Sequence, residues 1–306
     1  MLDSAAFSDS LISQVHAPFL ARHDIQLQVM RLDLLPYQAQ GNKWFKLKYN
    51  LAKAQQLGHS TLLSFGGAYS NHLYALAAVA KTHGFRSIGV VRGELTEPLN
   101  PVLEYARNQG MQLYPVSREQ YRRKESVEFQ HEMLEKYGKC YVIPEGGNNA
   151  EGVAGCEEIV NLAMPWLEKK AADKQLLLAL ACGTGSTMAG VIRGVINNSL
   201  DLEVLGVPVL KGASFLENEI ARWLPKPEQS SHCRWRLELD YHFGGYGKCS
   251  AALTDFIDNF GLDNTIPLEP VYTGKLFYAL YDLIRKGRMQ PGTRIVALHT
   301  GGILQE

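Results

Sequence analysis

The chain has 306 residues, of which 46% are hydrophobic, and its 31 basic and 31 acidic side chains cancel at neutral pH. That is enough apolar material for one large or two ordinary domains. The charge balance supplies no basic excess for a nucleic-acid partner and no acidic tail. Cys140, Cys156, Cys182, Cys233 and Cys249 include no CxxC pair. This argues against a disulfide framework or a structural zinc site and fits a reducing, cytoplasmic setting. Nine scattered histidines contain no HExxH, so no metal is expected, and no GxSxG elbow is present. Residues 1–20 lack a basic start followed by an apolar run, so no signal peptide is expected. No apolar stretch is long enough for a bilayer, and no membrane partner is expected.

In chain order, residues 26–32 read as a strand and 43–57 as a helix with Phe45, Leu47, Leu51 and Ala54 on its apolar side. Residues 61–65 read as a buried strand, Gly66 and Gly67 as a turn, and 70–83 as a helix. A strand over 88–91, a helix over 101–109 and a strand over 112–116 follow. Residues 118–137 read as one long charged helix, and 140–143 as a strand. The second series is a helix over 152–170, a strand over 175–181, a helix ending at 197, a strand over 203–209 and helices over 213–223, 250–260 and 274–286. A last strand covers 294–299. This alternation predicts α/β layers with mostly parallel sheets. The Pro/Gly break at 144–149 is the expected crossing between a small domain, 51–145, and a larger one formed by 1–50 with 146–306.

Glycine-rich loops follow several of these strands, where ligands sit in open α/β sheets. CGTGSTMAG (182–190) offers Gly183, Thr184, Gly185, Ser186 and Thr187: free backbone N–H groups, two kinds of hydroxyl and a helix start, which together suit a phosphate. No lysine follows as in a Walker loop, and the glycine spacing is wrong for a dinucleotide fingerprint. In GNKWFKL (41–47), Lys43 and Lys46 are three apart, so a helix puts both amines on one side. One suits a Schiff base and the other a phosphate. GGAYSNH (66–72) places Ser70, Asn71 and His72 at a helix start, a cradle for a carboxylate. PEGGNN (144–149), PVYTGK (270–275), HTGG (299–302) and the Gly244-Gly245-Tyr246-Gly247 loop complete the set. Each one alone also reads as an ordinary cap or turn.

Together, GNKWFKLKYNL, SFGGAYSNHLYALAAVA, IPEGGNN, CGTGSTMAG, PVYTGK and HTGG run in order from Gly41 to Gly302. This ordered set resembles the aminocyclopropane-carboxylate deaminase and D-cysteine desulfhydrase family, within the tryptophan-synthase-β-like, fold type II pyridoxal-phosphate enzymes. The resemblance implies an α/β enzyme with two domains, each a mostly parallel sheet flanked by helices, acting as a homodimer on a small amino acid. It implies that Lys43 carries pyridoxal phosphate, with Lys46 near the phosphate and Gly183 to Thr187 forming its cup. Asn71 matches the residue beside the phenolic oxygen, and Ser70, Asn71 and His72 match the substrate-carboxylate region. Tyr272 and Tyr246 match two active-site tyrosines. Thr273 matches the partner of the pyridine nitrogen, with Thr300 as a nearby candidate. Lys43, Ser70, Tyr246 and Tyr272 are the expected catalytic residues.

Within the family, ring-opening deaminases look like YEGK, HLGG and SNQ, whereas the desulfhydrases look like YTGK, HTGG and SNH. Thr273, Thr300 and His72 side with the latter. A threonine keeps the pyridine nitrogen protonated less well than a carboxylate does, and a weaker electron sink suits a readily departing thiolate. The expected reaction is therefore α,β-elimination of D-cysteine to pyruvate, ammonia and sulfide. Trp44 and Phe45 depart from the polar or basic residues expected after the lysine, and Ser186 and Thr187 vary the cup. Cyclopropane deamination, hydroxy-amino-acid dehydration and racemisation are alternatives on the same cofactor. A non-catalytic carrier of pyridoxal phosphate and a nucleotide-binding protein are alternatives of other classes.

Overall fold

The computed structural model describes residues 11–35, 39, 41–170, 175–225 and 233–302. The part of the signal-peptide reading that rests on residues 1–10 lies outside them. Among the described residues ten strands are formed: β1 (Ile12–Gln14), β2 (Gln26–Arg31), β3 (Thr61–Gly67), β4 (Arg86–Arg92), β5 (Met111–Val116), β6 (Tyr141–Ile143), β7 (Leu176–Cys182), β8 (Glu203–Pro208), β9 (Arg234–Leu237) and β10 (Arg294–His299). They build a six-stranded sheet ordered β1-β2-β10-β7-β8-β9 and a four-stranded sheet ordered β5-β4-β3-β6. β1 runs antiparallel to β2, and the other neighbours are parallel. Parallel strands need helical crossovers that cover both faces, which is why β7 reads LLLALAC and is buried at every position.

The chain divides into two compact units. One holds the described residues of Met1–Leu35, Gln40–Asn42 and Cys156–Glu306; the other holds those of Pro36–Ala39 and Lys43–Gly155. In the first, Leu27, Leu177, Leu205 and Ile295 of the six-stranded sheet share a core with Leu276, Phe277 and Leu280 of helix Thr273–Arg285. In the second, alternate residues of β3 feed two cores, as a two-residue strand period requires. Leu62 packs with Leu47, Leu51, Leu73 and Leu76, while Leu63 and Phe65 pack with Phe129 and Met133.

Three sequence expectations change. The turn expected at Gly66 and Gly67 falls later, because both glycines stay in the ladder opposite Val91 and Arg92. The helix expected over 118–137 is two helices, Arg118–Arg122 and Val127–Tyr137, because a second N-cap stands inside the stretch: Ser117, just before it, forms a capping box with Gln120, and Ser126 caps the second helix. The helix expected over 213–223 opens with a 3-10 turn, Ala213–Phe215, before Leu216–Ala221. β1, β9 and helix Pro18–Arg22 were not expected, being too short to carry a period. Among the described residues no helix is long and apolar enough to cross a membrane, and no cluster of three His, Cys, Asp or Glu is placed to hold a metal ion. The five cysteines are free.

Candidate active site

In the unit with the six-stranded sheet, β7 ends at Cys182 and helix Ser186–Asn197 starts four residues later. Gly185 is the N-cap, in the left-handed region at φ 83°, with no side chain to cap the helix. The first turn therefore presents its N–H groups without a competing side-chain acceptor, the arrangement that favours a phosphate. Thr184 and Ser186 share a hydroxyl–hydroxyl hydrogen bond of 3.1 Å beside it. The Tyr272 ring lies against Gly183: a Cβ on that glycine would stand 3.3 Å from the phenol oxygen. Tyr246 meets Tyr272 edge-on, with ring centroids 6.0 Å apart.

The residue before Lys43 is tied to this loop. The Asn42 side chain donates to the Thr187 hydroxyl at 2.9 Å, and the Asn42 backbone N–H donates to the Thr300 carbonyl at 3.3 Å. Gly41 is left-handed at φ 64°, and any Cβ there would collide with the same carbonyl. The turn holding Thr300 is itself braced. His299 Nε2 donates to the Pro267 carbonyl at 2.7 Å, and His299 Nδ1 lies 3.1 Å from Asp33 Oδ1. Arg31 grips the Asp33 carboxylate through Nε at 2.9 Å and Nη2 at 2.7 Å. Burial alone would raise the Asp33 pKa, but the hydrogen bonds and charges of His299 and Arg31 prevail and hold it at about 2.

Thr273 is fully buried at the start of its helix. The Glu269 backbone N–H donates to its hydroxyl at 2.9 Å, and that hydroxyl donates to Glu269 Oε1 at 3.2 Å. The Glu269 carboxylate also accepts from the backbone N–H groups of Val271, Tyr272 and Thr273, at 2.7, 2.7 and 2.6 Å. Burial pushes its pKa up against the pull of these donors. Of the two hydroxyls expected near a pyridine nitrogen, the one on Thr273 is committed to Glu269. The Thr300 hydroxyl makes no hydrogen bond among the described residues.

In the other unit, Lys43 and Lys46 open helix Asn42–Gln56, and Lys46 is buried. Asn50 donates to the Lys46 carbonyl at 2.8 Å and pairs with Asn149, whose amide returns a 2.7 Å hydrogen bond. Gly147, left-handed at φ 66°, lies against Lys46. The PEGGNN segment therefore seats the lysine helix.

Ser70 caps helix Asn71–Thr82, accepting from Leu73 N–H at 3.2 Å. Asn71 is the first helical residue and is partly exposed. His72 is buried, with Nε2 2.9 Å from the Ser64 hydroxyl, which donates to the Ile143 carbonyl at 2.8 Å. A serine has one hydrogen to give, so His72 Nε2 must carry a proton and donate to Ser64. Nδ1 is then a bare acceptor, buried and without a hydrogen-bond partner. Burial, with the charges of Lys43 and Lys46 behind it, drives the His72 pKa down to about 3. His72 is neutral, and Nδ1 is left open to a hydrogen-bond donor.

Sequence reasoning missed Asn42, Asn50, Ser64, Asn149 and Glu269. Ser64 carried a signal, as a lone polar residue inside the apolar run TLLSFGG. Asn42 stood inside the motif that singled out Lys43.

Two helix-flanked, mostly parallel sheets, a glycine cup at an uncapped helix start and a lysine bonded to a residue tied to that cup define a fold type II enzyme with a phosphate-bearing cofactor. The chain belongs to the pyridoxal-phosphate dependent enzyme family, whose model matches residues 15–301, and its cofactor is pyridoxal phosphate. A Pyrococcus horikoshii protein, provisionally named a 1-aminocyclopropane-1-carboxylate deaminase, is 31% identical over 278 residues, covering 90% of this chain and 84% of the relative. The mitochondrial Arabidopsis thaliana protein named bifunctional D-cysteine desulfhydrase/1-aminocyclopropane-1-carboxylate deaminase is 28% identical over 291 residues, covering 91% of this chain and 73% of the relative. A crystal structure described as an ACC deaminase homologue superposes with a TM-score of 0.79 at 28% identity, covering 95% of this chain and 89% of that one. The residues present fit the cofactor: the open helix start answers a phosphate, and the orphaned His72 Nδ1 awaits a donor from a ligand.

Proposed function

We propose that the chain catalyses α,β-elimination from D-cysteine, giving pyruvate, ammonia and sulfide. The observation that carries this reading is the setting of Thr273 and Thr300. Of the two hydroxyls expected at the pyridine nitrogen, that of Thr273 is engaged by Glu269 and that of Thr300 is left open, while the Glu269 carboxylate is itself taken up by three backbone N–H groups. When bound, pyridoxal phosphate supplies an electron sink for the pair left on Cα, and without a carboxylate partner that sink is weak. It suffices for a thiolate leaving group.

The chain's own residues divide the remaining work. Gly183 to Thr187 and Lys46 hold the phosphate. Lys43 would carry the cofactor, and with substrate bound its Nζ would take the Cα proton. The donors at the start of helix Asn71–Thr82, with the Ser70 hydroxyl, would orient the substrate carboxylate, and the Asn71 amide would serve the cofactor's phenolic oxygen. His72 Nδ1 accepts a ligand N–H. The Cβ–S bond breaks with its electron pair on sulfur, and the Tyr246 or Tyr272 phenol supplies that sulfur with a proton. Water then releases ammonia from the aminoacrylate, leaving pyruvate.

The second reading is opening of the cyclopropane amino acid to 2-oxobutyrate and ammonia, which the name of the Pyrococcus relative favours and which the name of the Arabidopsis relative pairs with the D-cysteine activity. The test is the visible spectrum of the purified protein before and after D-cysteine, with sulfide assayed in the same cuvette. A cofactor band that shifts while sulfide appears is expected. A band with no sulfide sends the assignment to the cyclopropane substrate, read as 2-oxobutyrate. A loaded protein inert to both, and to other amino acids, is a carrier.

A homodimer in a reducing, cytoplasmic compartment completes the reading, the latter supported by five free thiols. Sedimentation at the monomer mass would remove the dimer. Recovery of the chain from an oxidising compartment would remove the localisation.

A further inference from the structure

Lys275 is fully buried, yet the elimination chemistry gives it no task. Its ammonium donates to two backbone carbonyls, His242 at 2.9 Å and Gly245 at 2.8 Å. Those carbonyls close successive turns: Gly245 N–H donates to His242 O at 3.0 Å, and Lys248 N–H donates to Gly245 O at 3.1 Å. The ammonium is therefore the shared donor that joins both turns. A buried ammonium is costly unless it is hydrogen-bonded, so this pairing is part of the fold and not a surface accident.

The loop it grips is one that resists ordering. Phe243, Gly244, Gly245 and Gly247 all have positive φ, at 52°, 95°, 125° and 67°. Glycines lose the most conformational freedom on being fixed, and Phe243 carries a Cβ in a region it disfavours. The residue this run presents is Tyr246, edge-on to Tyr272, whose ring lies against Gly183 of the phosphate cup. Lys275 belongs to the same helix start that carries Tyr272 and Thr273. One helix thus positions one tyrosine directly and a second through an ammonium clamp on a glycine loop.

We propose that Lys275 is the positioning residue for Tyr246: its ammonium ties the 242–248 loop to helix Thr273–Arg285 and fixes the phenol beside Tyr272. This rests on the reading that Tyr246 serves the reaction. The loss expected on removing the clamp is one of kcat, with KM little changed, because the phenol acts on the reacting bond while the substrate carboxylate is held elsewhere.

The experiment combines hydrogen exchange with a double-mutant cycle on the cofactor-loaded enzyme. In the unsubstituted protein, the amides of Gly245 and Lys248 should exchange as slowly as those of helix Thr273–Arg285; free exchange there would overturn the clamp without any variant. In Lys275→Met, the cofactor band should persist and the 242–248 amides should exchange at least about tenfold faster. Its kcat should fall by about 10- to 100-fold. Adding Tyr246→Phe to Lys275→Met should cost little more, whereas multiplied losses would mean that the two act independently and would end the proposal. Lys275→Arg should recover part of the loop protection. If Lys275→Met does not fold, the unsubstituted exchange pattern and the Lys275→Arg variant decide the matter. Unchanged turnover in Tyr246→Phe alone would remove Tyr246 from the reaction and this proposal with it, while the cofactor reading, judged by the band, would stand.

Discussion

Asn42 and Thr187 are joined side chain to side chain, the Asn42 amide donating to the Thr187 hydroxyl at 2.9 Å across 145 positions of sequence. Thr187 lies in the first turn of the cup helix, and Asn42 is the residue before Lys43. The bond ties the residue before Lys43 to the loop proposed to hold the phosphate. Such preorganisation lowers the ordering cost of binding.

Asn42→Ala should therefore weaken two things together. Losing a buried hydrogen bond and leaving Thr187 without its donor should cost about 1 kcal/mol of stability. Pyridoxal-phosphate affinity should fall by about tenfold. Urea denaturation of the cofactor-free protein and a spectroscopic titration measure these separately. An unchanged affinity would show that the tie serves folding alone.

Lys43→Ala should fold, as judged by circular dichroism, but lack the visible band of a lysine-linked cofactor. Turnover should drop by about 10²- to 10⁴-fold or more, the range for loss of a general base. Near-native activity in this variant would take Lys43 out of its role.

His72 makes an acid-sensitivity prediction whose sign follows from its pKa of about 3 in the fold against an ordinary value of 6.5. Above pH 6.5 neither the folded nor the unfolded chain protonates it, so it has no effect. As pH falls from there toward about 3, the unfolded chain binds a proton that the folded chain refuses, and stability declines. The decline has a limiting slope of about 1.4 kcal/mol per pH unit. His72→Gln should flatten this limb. Denaturant midpoints between about pH 6 and pH 4 test it, and parallel curves for the two proteins would refute the assignment of a buried, neutral imidazole.

Gly155→Ala addresses helix seating. A Cβ at this position would collide with the Phe45 carbonyl oxygen. Backbone has little room to yield, so the loss should sit at the upper end for overpacking, about 3 kcal/mol. Chemical denaturation reads it, and a change within about 0.5 kcal/mol would mean that the helices separate freely.

Strands were legible where long apolar runs announced them. β7, β8 and β10 were read to within a residue or so because a strand covered on both faces has no other way to be written. Edge strands β1 and β9, of three and four residues, were invisible because pairing, not pattern, defines them. The split of 118–137 was missed although both serines stood in plain view; a continuous charged stretch outweighed two caps. At the site, glycine motifs and lysines were legible because their chemistry is local. The partners that fix them are not. Ser64 with His72, Asn50 with Asn149, and Glu269 against its own helix start depend on which side chains the fold turns inward. Glu269 also alters how Thr273 is read, since a hydroxyl expected to serve a ligand is already engaged.

The contact between Gly155 and Phe45 also bears on how this sequence is free to drift. The lysine helix is gripped there by its main chain, through a carbonyl that every amino acid possesses. The side chains at positions 44 and 45, where Trp44 and Phe45 stand in place of the polar or basic residues expected, add packing to that grip: Phe45 is buried and Trp44 stacks on His83. The tightest demand falls on position 155, 110 residues downstream, where the Phe45 carbonyl leaves no room for any side chain beyond hydrogen.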